Sequence, residues 1–137
     1  SIHSVDRITF GAEAYPVGVL IATYFFLPLD KDAFIYGMLV GGFSDSMASV
    51  IGKYYKYKEI IIFGQKKSFG GSLSFFITTV IISYLFTFVL GVELNIISII
   101  IIAFILTIAE LVQTFGIDNV TIPVLGGMTL NYFTYVT

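Results

Sequence analysis

Three acidic residues and one lysine–glycine run carry the chemistry available to this sequence. Asp45 is the single charge in Ala33 to Gly52 (AFIYGMLVGGFSDSMASVIG), and Glu110 is the single charge in Leu94 to Gly116 (LNIISIIIIAFILTIAELVQTFG). Both stretches otherwise read as membrane-spanning helices. An ionised carboxylate at that depth costs several kcal/mol or more, so by default it has a partner and a function. A protonated or salt-bridged packing role stays open for either acid. Asp118 follows Glu110 in the turn Gly116-Ile117-Asp118-Asn119. Together Asp45, Glu110 and Asp118 are candidate oxygen ligands for Mg²⁺, which favours carboxylates and phosphate oxygens. Taken alone, Asp118 and Asn119 are ordinary turn residues.

The run Lys66-Lys67-Ser68-Phe69-Gly70-Gly71-Ser72 supplies the complementary charge. Glycines at a helix entrance let backbone N–H groups approach an anion, and the helix N-terminus adds partial positive charge. Lys67 offers a point charge, and Ser68 or Ser72 a hydroxyl. The composition suits phosphate, although the Walker A spacing is absent. A flexible linker with Ser72 as helix cap explains the local pattern equally well. No His/Cys cluster exists, so zinc is not expected, and the lone His3 is expected in solvent. The chain has no cysteine, which excludes disulfides and thiolate metal sites.

The elements that must hold these residues are set by composition. The chain has 137 residues, 57% hydrophobic and only 12% charged, with a mean hydropathy of +0.95. Soluble domains carry about 25% charged residues. The expected class is an all-α integral membrane protein, a single transmembrane domain over residues 1–137 built as a bundle of four to five helices. Spanning takes about 20 apolar residues. The expected segments are Tyr15 to Leu29, Ala33 to Gly52, Leu73 to Val92, Leu94 to Gly116, and Val120 to Val136. The last is the weakest, interrupted by Pro123, Gly126, Gly127 and Asn131. The N-terminus has no basic region leading into a cleavage site, so no signal peptide is expected. Gly41-Gly42 reads as a close-packing surface between helices.

Five of the seven basic residues (Lys53, Lys56, Lys58, Lys66, Lys67) lie in one loop, between the second and third segments. The positive-inside rule makes that loop cytoplasmic. For Lys53, Lys56 and Lys58 a topology signal alone is the favoured reading. Asp30-Lys31-Asp32 and Gly91-Val92-Glu93 then face outward. The stretch with His3, Arg7 and Glu13 faces the cytoplasm, as do Asp118 and Asn119. Asp45 and Glu110 each sit about two turns above the cytoplasmic end of their helices. Within the loop, Ile60 to Phe63 followed by Gly64 predicts a short strand or hairpin. Tyr54, Tyr55 and Tyr57 suit the membrane interface.

These motifs, in this order, resemble the polyprenol kinase family, which includes dolichol, phytol and CTP-dependent diacylglycerol kinases, with phosphatidate cytidylyltransferase more distant. The resemblance rests on Ser44-Asp45-Ser46-Met47-Ala48 with Gly52, Lys67-Ser68-Phe69-Gly70-Gly71-Ser72, and Glu110 followed by Gly116-Ile117-Asp118-Asn119 and Pro123. The opening Phe10-Gly11-Ala12-Glu13-Ala14-Tyr15-Pro16 adds to it. Ser44 stands where the family has Gly, and Gly70 where it has Glu. The family is also longer, so this stretch is expected to be a short member or the C-terminal catalytic part of one.

The resemblance implies phosphoryl transfer from CTP to a long-chain isoprenoid or diacylglycerol-type alcohol at the cytoplasmic face of the cell (inner) membrane. It places Mg²⁺ on Asp45, Glu110 and Asp118, one of which takes the alcohol proton. Phosphates fall to Lys67, Ser68, Gly70, Gly71 and Ser72, with Asn119 supporting metal or base. A homodimer would complete a thin bundle, and nucleic acid is not an expected partner. Three other readings stay open: cytidylyl transfer to a lipid phosphate, a cation or proton transporter using the buried acids, and a catalytically silent relative.

Overall fold

The computed structural model describes residues 11–27, 30–55, 58–62, 65–112 and 118–136. They form five helical rods and one hairpin. The first rod is α1 (Gly11–Phe26). The second runs from Lys31 to Tyr54 as α2 (Lys31–Leu39), a π-helical turn (Val40–Ser44) and α3 (Asp45–Tyr54). Strands β1 (Glu59–Ile62) and β2 (Gln65–Ser68) follow, then α4 (Phe69–Leu90), α5 (Ile96–Val112) and α6 (Asp118–Val136). The all-α reading and the short hairpin in the lysine-rich loop both match this order.

Local chemistry sets the helix ends. Asp30 caps α2 by accepting the Ala33 N–H at 3.0 Å. Asn95 accepts the Ser98 N–H at 2.7 Å at the entrance of α5. Gly91 ends α4 at φ 68°, a left-handed conformation that only glycine adopts without a steric cost.

Helix α2 and α1 lie against α6, α3 lies against α4, and α5 bridges α4 and α6. The core is apolar, with Tyr36, Val40, Phe75, Ile102, Leu106, Ile122 and Leu130 essentially fully buried. Polar groups inside it are paired. The Tyr36 hydroxyl and Ser83 Oγ are 2.6 Å apart, and Ser44 Oγ and Thr79 Oγ1 are 2.9 Å apart. Thr79, Ser83, Thr87 and Thr107 also donate to the carbonyl four residues back, which satisfies their hydroxyls without water.

Among the described residues, two rods are long and apolar enough to cross a bilayer: Lys31–Tyr54 (24 residues) and Phe69–Leu90 (22 residues). The stretches Tyr15–Phe26 and Ile96–Val112 are shorter apolar helices. Of the expected fourth span, Leu94 to Gly116, the described helix covers Ile96–Val112, and Asn95 sets its start. The exterior is unusually apolar: Leu20, Tyr24, Phe25, Phe88, Val89, Ile97 and Phe104 are all at least 60% exposed.

Candidate active site

The hairpin leads straight into α4 without a linker. Its antiparallel register pairs Ile60 with Lys67 and Glu59 with Ser68. Side chains alternate along a strand, so Lys66 and Lys67 point to opposite faces. Lys66 is exposed, whereas Lys67 turns into the bundle. There its Nζ lies 2.7 Å from Glu110 Oε1 and donates to the Glu110 backbone carbonyl at 3.2 Å. The side chains are 15% and 6% exposed, so this is a largely buried ion pair joining the lysine loop to α5.

Ser68 ends β2 and caps α4: its Oγ accepts the Gly71 N–H at 3.0 Å. The alternative of a flexible linker capped by Ser72 is not what forms. Ser72 lies within the first turn because α4 begins one turn earlier, at Phe69. The glycines there serve close approach. A Cβ on Gly71 would sit 3.0 Å from the Ala48 carbonyl, and one on Gly70 would sit 2.7 Å from the Tyr55 carbonyl. A Cβ on Gly52 would lie 3.1 Å from Ser68 Oγ. Any side chain at position 70, glutamate included, needs the end of α3 to move. The missing acid there has a steric counterpart.

Asp45 begins α3 and is half-buried. Its level follows from the antiparallel packing of the second rod on α6. Asn131 Nδ2 donates to Asp30 Oδ2 at 2.7 Å, and Gly127 packs under the Ala33 carbonyl. A Cβ on Gly37 would collide with the Pro123 carbonyl, and one on Gly41 would meet the Pro123 ring at 2.7 Å. One further turn along this register brings Asp45 level with Asp118 and Asn119 at the start of α6. Asp45, Lys67, Ser68, Glu110 and the first turn of α6 thus occupy one end of the bundle. The side chains of Asp118, Asn119 and Glu13 lie outside the described residues, as do His3, Arg7, Phe10, Lys56, Tyr57, Gly116 and Ile117.

Three features escaped the sequence reading. Lys67 and Glu110 were singled out, but not as each other's partners. Of Gly41-Gly42, only Gly41 packs on another helix, since a Cβ on Gly42 would meet nothing within 4 Å. The π turn carries no local signal beyond those two glycines.

Hard oxygen donors without thiolates fit a cation such as Mg²⁺. Among the described residues, no three acids or histidines gather closely enough to hold a metal by themselves. Mg²⁺ needs only one or two carboxylates when phosphate oxygens complete its shell. At the opposite end a pocket of about 310 Å³ is lined by Asp30, Asp32, Glu93 and Thr134 among others.

The structure is a helical bundle with a lysine–carboxylate pair and a capped helix entrance at one end. The chain is 32% identical over 134 residues to phytol kinase of Synechocystis sp., covering 90% of this chain and 54% of that protein. This likeness supports membership of the polyprenol and phytol kinase family, and the chain spans about half the length of the curated relative it matches. No family model and no solved structure matches the chain.

Proposed function

We propose that this chain forms the phosphoryl-transfer region of a CTP-dependent kinase for a long-chain lipid alcohol. The bundle is embedded in the inner membrane, with four to five helices in lipid and the Lys67–Glu110 end at the cytoplasmic surface. The observation that carries the reading is the buried Lys67–Glu110 pair beside the Ser68-capped entrance of α4, in a chain related to a phytol kinase. Membrane placement is supported by the two long apolar rods, the apolar exterior and the lysines at the hairpin end.

Phosphoryl transfer is mainly positioning and charge neutralisation. Lys67, Ser68, Ser72 and the first-turn amides of Gly70 and Gly71 would hold the phosphates. Asp45, Glu110 and Asp118 would hold Mg²⁺, which when bound supplies charge neutralisation on the phosphates; Asn119 supports metal or base. The alcohol oxygen attacks the γ-phosphorus, the bond to the β-phosphate oxygen breaks, and CDP leaves. One of the three carboxylates accepts the hydroxyl proton. Lys67 offsets the charge on the transferred group. The lipid tail stays among the apolar helices, and a second copy of the chain is a candidate for completing the wall.

Incubating the purified protein with labelled CTP, Mg²⁺ and a panel of lipid alcohols tests this. The expected product is a lipid monophosphate with CDP. Release of pyrophosphate would instead identify cytidylyl transfer. Absence of Lys67-dependent CTP binding would remove the nucleotide reading and leave cation transport through the buried acids.

A further inference from the structure

We infer that the π turn Val40–Ser44 is the device that turns Asp45 from the apolar exterior toward the end of the bundle where Lys67 and Glu110 meet. This rests on reading that end as the nucleotide site. Each residue of an α-helix advances roughly 100°. In an uninterrupted helix Tyr36 and Gly52 would lie about 160° apart, on nearly opposite faces. Both meet α4: the Tyr36 hydroxyl is bonded to Ser83, and Gly52 abuts Gly71 and Ser68. The extra residue held in the π turn takes back roughly 100°, which reconciles the two contacts. The same correction acts on Asp45. It would stand about 180° from Tyr36, facing away from α4, and is instead brought round to about 80°, on the flank of the packed face.

The turn is pinned on both sides. Ser44, fully buried, shares a hydrogen bond with Thr79 of α4, and Gly41 abuts Pro123 of α6. Between them the Gly42 carbonyl accepts the Asp45 N–H and the Ser46 hydroxyl. Nothing crowds Gly42, so the bulge is not a response to a local clash there. Wider turns of this kind are concentrated at functional sites. Ser44 and Thr79 are positioning residues: they act through Asp45.

The absence of cysteine makes a direct test possible. A cysteine is introduced at position 45 (D45C) in the parent chain and in a chain lacking Gly42, and its reactivity toward a charged, water-soluble maleimide is measured in membranes. In parallel, binding of labelled Mg²⁺-CTP and kcat and KM are measured for the Gly42 deletion, T79V and T79S, with thermal unfolding recorded for each. The deletion should cost the thiol its reactivity. It should also lower kcat/KM on the order of 100-fold, as misplacement of a catalytic group does. T79V should weaken Mg²⁺-CTP binding, and T79S, which keeps the hydroxyl, should restore it. A folded deletion chain with parental thiol reactivity and parental Mg²⁺-CTP affinity overturns the inference. If the deletion does not fold, the Thr79 pair decides, and equal behaviour of T79V and T79S overturns it. Full turnover by D45N would sink the role given to Asp45 under the proposed function, while the thiol comparison still judges the π turn.

Discussion

At the scale of single residues, the Lys67–Glu110 pair makes the sharpest expectation. Removing one member of a buried ion pair leaves the other charge uncompensated, at about 3–5 kcal/mol. K67M and E110Q should each be markedly destabilised. The double variant should recover much of that loss, because no lone charge remains, yet it should not regain phosphoryl transfer. Thermal unfolding in detergent beside a turnover assay checks both halves. A double variant no more stable than either single one would show that the pair does not govern stability. Both residues stood out in the sequence by chemistry, the acid for its depth and the lysine for its glycine-rich neighbours. Their pairing did not. They are 43 positions apart, and no periodicity links them. Ser68 likewise looked interchangeable with Ser72 until the strand, by running straight into the helix, fixed which serine could cap it.

At the scale of elements, the glycines separate into those that must be bare and those that need not be. G37A would drive a Cβ into the Pro123 carbonyl and force α2 away from α6. Overpacking of this kind costs about 1–3 kcal/mol. G42A meets open space and should be neutral or slightly stabilising, since alanine is the better helix former. Comparing the unfolding temperatures of the two variants decides the matter, and a G37A chain as stable as the parent would show that α2 and α6 can separate freely. Helix existence was legible because long uncharged runs leave few alternatives, and the hairpin was legible from three isoleucines before a turn. The π turn was not. It arises where one rod must satisfy α6 with Gly37 and Gly41, then α4 with Ala48 and Gly52. That is a compromise between partners, and it leaves no trace in hydropathy.

At the scale of the whole molecule, the apolar exterior and the segregation of charge give testable topology. Single cysteines replacing Lys66 and Glu93, both exposed, should be labelled from opposite sides of the membrane, the first from the cytoplasm. Labelling of both from one side would contradict the orientation. At the far end, N131A removes a hydrogen bond to the Asp30 carboxylate, worth about 1.5–3 kcal/mol. It should lower the unfolding temperature and leave the KM for CTP unchanged, because Asn131 and Lys67 lie at opposite ends of the bundle.

That far end also bears on how the chain settles in an energised membrane. Asp30, Asp32 and Glu93 outweigh Lys31 at one pole, while Lys53, Lys58, Lys66 and Lys67 at the other are offset by Asp45, Glu59, Glu110 and Asp118, so a negative pole stands opposite a nearly neutral one. In the proposed orientation, a membrane potential negative inside would hold the acidic pole out, at about 2.3 kcal/mol per elementary charge carried across 100 mV. Cells whose potential is collapsed during synthesis should therefore accumulate a larger fraction of upside-down molecules.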